Sequence, residues 1–451
     1  MTFLIKFLIL LYVIILFFLI IWFIYKKKKI LKKKKISYIM NLKKKYYFNF
    51  IKSLKINYNF KNSNLAKPLF KLCDEKQGLS GIAYNNIKIL KKNKNIINNI
   101  IFDIKNAKKT IEIVFYIWQP GGKADDVAIE LIKSAKRGIK CKLMLDSTGS
   151  SQFFKSKWFK KMKYVGIKIV ESLKINFLKF FLKRIDIRQH RKIIIIDNYI
   201  VYTGSMNLVD PKFFKRSSGV GKWVDLMIRI KGSIAITMSM IFFCDWEIET
   251  GKRKNPILFK KKKIKNIKKK TLIQVIPSGS GFLKNIIHKV LLTAIYSAKK
   301  KIILTTPYFV PSKQLFYAIC LVAKRGIKVK IILPKYNDSF LVQWASRSFF
   351  TKLLKSGVKI YQFNKGLLHS KIILIDNQLS LFGTLNLDMR SIWLNFEITL
   401  IIDDNKFNKK LKKIQHEYIL HSKLLILKIW LLRSYWKRLI ENIIYLFNPL
   451  L

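Results

Sequence analysis

Acids, arginine, histidine and cysteine are all scarce in this 451-residue chain. Only 24 Asp and Glu stand against 89 Lys and Arg, and they form no acidic cluster of the kind that holds a hard divalent cation. A reaction run by carboxylate-bound metal is therefore disfavoured. The four cysteines, Cys73, Cys141, Cys244 and Cys320, lie far apart with no CxxC pair. That excludes a zinc knuckle or a disulfide scaffold and favours a reducing compartment. Arginine supplies only 12 of the 89 basic residues. Lys, Ile, Asn and Phe are abundant throughout, the signature of an AT-biased genome. A net charge of +65 suits nucleic acid or an anionic membrane face, but the codon bias removes most of its weight as evidence. With only five histidines, each one is worth tracing.

Half the residues are hydrophobic and 14% aromatic, which rules out a disordered chain, and the length allows about three units of ~150 residues. Phe7 to Tyr25 is an uninterrupted apolar run of 19, followed at once by Lys26 to Lys29. At about 1.5 Å per residue it nearly covers a hydrocarbon core. Bulky Trp22, Phe23 and Tyr25 leave no small-residue cleavage site, so the run reads as a retained transmembrane anchor and not a signal peptide. The lysines from Lys26 to Lys45 belong on the cytoplasmic side, against anionic headgroups. The other end is amphipathic: Leu424, Leu427, Ile429, Trp430 and Leu431 are interrupted by Lys423, Lys428, Arg433 and Lys437. It reads either as an interfacial helix with Trp430 and Trp436 at headgroup depth or as a helix packed on the core.

Between these ends the sequence repeats itself. Ala107-Lys-Lys-Thr-Ile recurs from Ala298, Ala135-Lys-Arg-Gly-Ile-Lys from Ala323, and Gly166-Ile-Lys-Ile from Gly357, at spacings of 191, 188 and 191. Each copy reads strand, helix, strand, which predicts α/β layers. Inside the repeat a motif occurs twice. His190-x-Lys192, four isoleucines, Asp197, six residues, then Gly204-Ser205-x-Asn207 is matched by His369-x-Lys371, four apolar residues, Asp376, six residues and Gly383-Thr384-x-Asn386. Every matched position is offset by 179. Strand alternation puts His and Lys on one side, and a tight turn at Asp197-Asn198 or Asp376-Asn377 returns Ser205 and Asn207, or Thr384 and Asn386, alongside.

Two such copies face to face supply two imidazoles and two ammonium groups to one cavity. That set suits a phosphodiester: a neutral imidazole attacks phosphorus, cations and amides hold the oxygens, and a protonated imidazole feeds the leaving alkoxide. The product of the first step is a phosphohistidine, resolved by a second alcohol or water, with no metal and no cofactor. Asp197 and Asp376 sit at turns, so a structural role competes with a catalytic one for both.

The doubled motif resembles the phospholipase D superfamily. Phe115 to Gly122 (FYIWQPGG), Tyr199 to Asn207 (YIVYTGSMN), Thr306 to Ser312 (TPYFVPS), Leu385 to Ser391 (LNLDMRS) and Asn448 to Leu451 (NPLL) narrow the resemblance to bacterial cardiolipin synthases, from about Leu65 onward. The resemblance implies an α/β fold of two pseudo-symmetric phospholipase D-like domains with mixed central sheets, added to one N-terminal transmembrane helix. The expected organisation is an anchor over 1–25, a Lys-rich juxtamembrane segment over 26–64, a first domain over 65–250 and a basic linker over 251–271. A second domain over 272–410 and an amphipathic helical region over 411–451 follow. The resemblance also implies catalytic roles for His190, Lys192, Asp197, His369, Lys371 and Asp376, phosphate binding by Ser205, Asn207, Thr384 and Asn386, and orientation of the histidines by Asp225 and Glu397. Family members typically carry two membrane helices, where this chain shows one.

The implied reaction is phosphatidyl transfer between two phosphatidylglycerol molecules, giving cardiolipin and glycerol, on the cytoplasmic face of a bacterial inner membrane whose anionic surface is the partner. A hydrolytic phospholipase D or a phosphatidylserine synthase would differ only in the acceptor. A nucleic-acid phosphodiesterase is the more distant rival, disfavoured by the anchor. A decayed, non-enzymatic protein is disfavoured by two intact motifs. His288, His416 and His421 read as surface or packing residues. Oligomeric state is left open.

Overall fold

A computed structural model describes residues 63–446 except 78, 175–186, 212–213, 215–218, 253–270 and 280–284, together with eight isolated helical positions between Tyr12 and Lys27. Most of the expected membrane anchor, of the juxtamembrane segment and of the basic linker therefore lies outside the described residues. Among the described residues no helix is long and apolar enough to cross a membrane.

The first half builds a seven-stranded mixed sheet from β1 (Asn85–Lys91), β2 (Thr110–Phe115), β3 (Lys140–Asp146), β4 (Lys168–Ser172), β5 (Ile193–Ile196), β6 (Ile200–Gly204) and β8 (Leu226–Gly232). The short strand β7 (Trp223–Val224) stands apart from it. The second half uses β9 (Leu272–Ser278), β10 (Lys301–Thr305), β12 (Lys328–Pro334), β13 (Lys359–Phe363), β15 (Ile372–Ile375), β16 (Leu379–Gly383), β18 (Glu397–Asp403) and β19 (Ser422–Leu424). The smaller strands β11 (Phe309–Val310), β14 (Leu367–Leu368) and β17 (Leu387–Asp388) lie outside that sheet. Sheet order is β1-β8-β6-β5-β2-β3-β4 in the first and β9-β18-β16-β15-β10-β12-β13-β19 in the second. The repeat seen in the sequence is thus a repeat of topology, with β19 as an added edge strand.

The repeated Ala-Lys-Arg-Gly-Ile-Lys ends a helix in each half, Lys123–Lys136 and Lys313–Lys324. Gly138 and Gly326 sit at φ 84 and 89, a left-handed position that glycine takes without strain. The amides of Ile139 and Ile327 then fold back on Ser134 and Val322 carbonyls, satisfying the helix end before the next strand starts.

Of the four apolar clusters among the described residues, the three larger ones hold the layers. One lies outside each sheet, under helices such as Lys123–Lys136 and Lys313–Lys324. The third lies between the sheets, where the helices Ile234–Thr250 and Asn405–Leu420 are wedged. Ile234 to Glu247 is buried throughout, as expected for a helix apolar on nearly every side. All four cysteines are buried and none is in a disulfide, and burial pushes the Cys73 and Cys141 thiols up to about 12.

Two domain bounds read from the sequence cross packed elements, and at Trp430 the core-packed one of two sequence readings is the arrangement seen. The helix Lys67–Gln77 was grouped with the first domain, yet its Leu69, Phe70 and Cys73 pack in one cluster with Ile287, Val290 and Leu291 of the second half. The boundary at 410/411 falls inside the continuous helix Asn405–Leu420, and β19 beyond it pairs with β13. Trp430 is not at an exposed depth. It is buried against Phe350, with Arg347 and Arg433 guanidinium groups over its ring at 4.7 and 4.3 Å.

Candidate active site

The run Ile193 to Ile196 is buried on both faces between β2 and β6, each side chain contributing about 1.5–3 kcal/mol of burial, and it anchors the polar residues at its start. Its far end turns through Asp197 and Asn198 at φ 52 and 51, and the second copy through Asp376 and Asn377 at φ 50 and 59. Two consecutive left-handed residues make the tight hairpin whose twist matches the strands, and Asp and Asn tolerate that conformation best after glycine.

The two aspartates are spent on the fold. The Asp197 carboxylate accepts the backbone N–H groups of Lys108, Lys109 and Thr110 at 2.8, 2.7 and 3.0 Å. Asp376 accepts those of Lys299, Lys300 and Lys301 at 2.8, 2.8 and 2.7 Å. Each lies one strand length from its histidine and pins the entry of β2 or β10. The structure does not bring either one to the histidines.

What it does bring together is reciprocal. The His190 amide donates to the Phe396 carbonyl at 2.9 Å, and the His369 amide to the Val224 carbonyl at 2.9 Å. Each of those carbonyls immediately precedes a carboxylate of the opposite half. The backbone ladders thereby place His190 Nδ1 2.7 Å from Glu397 Oε1 and His369 Nδ1 2.7 Å from Asp225 Oδ1. Each carboxylate is held from behind: the Ser205 hydroxyl donates to Asp225 Oδ1 at 2.7 Å, and Thr384 donates to Glu397. Ser205 and Thr384, expected on phosphate, are thus directed at the carboxylates. A carboxylate on Nδ1 fixes that nitrogen as the protonated one and leaves Nε2 with its lone pair.

Lys192 and Lys371 extend from the same strand faces and donate to the carbonyls of His190 and His369 at 2.8 and 2.7 Å. Asn207 and Asn386 are buried, and each Oδ1 lacks a hydrogen-bond partner. An unpartnered buried amide oxygen is a group that a donor on a bound ligand would satisfy, and any hold on a phosphate oxygen would fall to the Nδ2 hydrogens.

Electrostatics link the halves. Burial pushes the His190 imidazole well below its ordinary value, and the charges of Lys192, Lys371, His369 and Arg390 push the same way. Burial and Lys371 bring His369 down to about 4, against the pull of Asp225. Lys371 is lowered to about 7, chiefly by burial. Glu397 is raised by burial to about 8, whereas for Asp225 the His369 and Lys371 charges outweigh burial and leave it lowered. An empty pocket that disfavours its own positive charge is one that gains when an anion enters. Among the described residues no group of three or more His, Cys, Asp or Glu is placed to hold a metal ion.

Comparison with known proteins agrees with this geometry. A family model described as "Cardiolipin synthase, PLD-like domain" matches residues 100–220 and 291–419, one stretch in each half. The chain is 59% identical over 418 residues to cardiolipin synthase A of Buchnera aphidicola subsp. Baizongia pistaciae, covering 91% of this chain and 84% of that relative. The chain belongs to the cardiolipin synthase family. Cardiolipin synthase A of Erwinia tasmaniensis is 52% identical over 410 residues, covering 89% and 83%. The crystal structure of phosphatidylserine synthase from Haemophilus influenzae is similar in fold, with a TM-score of 0.61 at 17% identity over 86% of this chain and 98% of that one.

Several residues around this cardiolipin synthase site escaped the motif. The Tyr116 ring packs at a tilt against His190 with centroids 5.0 Å apart, and the Trp223 ring does the same against His369 at 4.6 Å. Arg191, an unassigned position between His190 and Lys192, is fully buried. It pairs with Asp245 and donates to the Glu397 and Ser278 carbonyls at 3.0 and 3.2 Å, stitching one half to the other. An arginine kept in so lysine-biased a chain was the available signal, since only a guanidinium serves three acceptors in a plane. His288 is buried with Nε2 2.7 Å from Ser312 Oγ, a packing contact.

Proposed function

We infer that this protein is a cardiolipin synthase. It transfers the phosphatidyl group of one phosphatidylglycerol to the terminal glycerol hydroxyl of another, releasing glycerol. The reading rests on the two reciprocal histidine–carboxylate pairs, which give one pocket two imidazoles with free Nε2 atoms. In the proposed mechanism His369 is protonated at Nε2 once the phosphodiester anion is bound; His190 Nε2 attacks phosphorus as the phosphorus–oxygen bond to glycerol breaks, and His369 delivers that Nε2 proton to the departing alkoxide. The neutral His369 then takes the proton of the incoming glycerol hydroxyl, whose oxygen displaces the phosphohistidine and restores both rings. Lys192, Lys371, Asn207 and Asn386 have the role of holding the non-bridging oxygens as charge builds. Asp197 and Asp376, given their backbone partners, support the frame.

The run Phe7 to Tyr25 supports anchoring in a bacterial inner membrane, and the lysines after it support catalytic halves on the cytoplasmic side with an anionic lipid surface as partner. The deciding experiment is incubation of membranes holding the protein with labelled phosphatidylglycerol. Cardiolipin with free glycerol is the expected outcome. Phosphatidic acid would mean water is the acceptor, and cleavage of DNA without lipid turnover would overturn the reading.

A further inference from the structure

The helix Tyr435–Tyr445 is attached to the protein through Glu441, Ile444 and Tyr445. Its buried positions are Glu441 and Ile444, and Glu441 is paired with Arg433 at 2.9 Å and with Arg347 at 3.0 Å. The apolar stripe that a helical period of ~3.6 residues draws through Tyr435, Trp436, Ile440 and Ile443 lies on a different side. That stripe faces outward: Tyr435 is 73% exposed, Trp436 69% and Ile443 49%, with Leu432 at 84% and Leu446 at 76% at its two ends. A water-facing helix on a soluble domain has the opposite arrangement. The charges among these outward residues are Lys428, Lys437 and Arg438, while the helix's one acid, Glu441, is buried and neutralised. Cations among exposed Trp, Tyr and Leu match an anionic headgroup layer above a hydrocarbon one.

The face is also connected to the pocket. Arg347 and Phe349, which hold the helix through Glu441 and Tyr445, belong to the helix Phe340–Lys355. Phe340 and Leu341 at that helix's start are 65% and 49% exposed. Just before them Asp338 accepts from the Tyr308 hydroxyl at 2.8 Å, and the charge of Asp338 acts on both Lys371 and Tyr116. One helix therefore runs from the pocket rim to the apolar stripe.

We propose that Leu432, Tyr435, Trp436, Ile440, Ile443 and Leu446 form a docking face that lies in the headgroup–acyl boundary of an anionic bilayer and holds the pocket mouth at the depth of lipid phosphate. The proposal rests on the lipid-transfer reading for its substrate, and on the inverted helix for its surface. It adds a second point of membrane contact to any anchor at Phe7–Tyr25, and so fixes orientation as well as attachment.

The test uses the full chain in vesicles of phosphatidylglycerol and phosphatidylethanolamine. The native cysteines are buried, so a spin label on Leu432→Cys reports that site, and one on Tyr164→Cys, at a residue 93% exposed in the first half, serves as the aqueous control. The Leu432→Cys label is expected to be relaxed by oxygen and shielded from a water-soluble nickel complex, with the reverse at Tyr164→Cys. Nickel access at both sites overturns the proposal, as does dipolar broadening at Leu432→Cys that shows a second copy covering the face. Trp436→Glu with Ile443→Glu should leave thermal unfolding unchanged and cut turnover of vesicle phosphatidylglycerol about tenfold, sparing monomeric short-chain phosphatidylglycerol. Equal loss on both substrates counts against it. A wild-type protein that makes no cardiolipin while its Leu432→Cys label still sits in lipid would remove the functional reading and leave the docking face standing.

Discussion

His190 packs against Tyr116 of its own half and His369 against Trp223 of the other half, so both catalytic-site rings rest on aromatics of the first repeat. The second repeat's counterpart, Tyr308, turns to Asp338 instead. The carboxylates differ as well: Glu397 is raised to about 8 by burial, while Asp225 is held low by the His369 and Lys371 charges. Strand order, turn geometry and the lysine bonds are nevertheless the same in both halves. The frame is symmetric and the environment of each imidazole is not. A reaction that needs one neutral and one protonated imidazole requires that kind of asymmetry within a duplicated frame.

The largest effect tests the shared part. His190→Ala or His369→Ala should each lower turnover by roughly 10⁴-fold with the fold retained, and the double variant should be no worse than either single one, because the rings act as a unit. Additive losses in a turnover assay would mean that the halves work separately. The next effect tests the difference. Asp225→Asn and Glu397→Gln should each cost about 10–100-fold in kcat/KM, as outer partners of a functional histidine do. Asp225→Asn should cost more, since the His369 and Lys371 charges hold Asp225 low whereas burial already works against charge on Glu397. Equal losses would remove the distinction between the pairs.

A third measurement follows the pocket's charge. His369 is lowered to about 4, with burial first and Lys371 second among the causes. A bound phosphate mimic such as vanadate adds negative charge beside the ring, favours the imidazolium and should move its titration upward, toward the ordinary value near 6.5. Nuclear magnetic resonance of histidine-labelled protein can follow it, with five histidines to assign. Lys371→Met should shift the same group upward without any ligand. No movement in either case would show that the two lysines do not set the pocket's field.

Much of this was legible in the sequence because its causes are local. The continuous apolar strand runs, the Asp-Asn turn and the Ala-Lys-Arg-Gly helix end are each fixed by a few adjacent residues, and their recurrence 179 to 191 positions apart announced the duplication. The packing of Trp223 against His369 and the reach of Arg191 to Glu397 depend on how the halves meet, which no spacing encodes. The helix Lys67–Gln77 packs beyond its neighbours in sequence for the same reason: its apolar face fits Ile287 and Val290 of the second half. Trp430 stayed between two readings because a tryptophan among lysines has the same pattern at an interface and under two arginines.

The smallest expected effect on catalysis separates frame from chemistry at the third motif position. Asp197→Ala removes an acceptor for three backbone amides and leaves them at the mouth of β2, so it should lower stability by about 3 kcal/mol. Well below its unfolding temperature the variant should keep most of its turnover, because His190 remains fixed from the other side by the Phe396 carbonyl and Glu397. Asp376→Ala should behave alike, through Lys299 to Lys301. Calorimetry and turnover measured on the same samples decide it. A loss of activity as deep as that of His190→Ala, with thermal unfolding unchanged, would return these aspartates to the chemistry and mean that the backbone bonds do not describe their role.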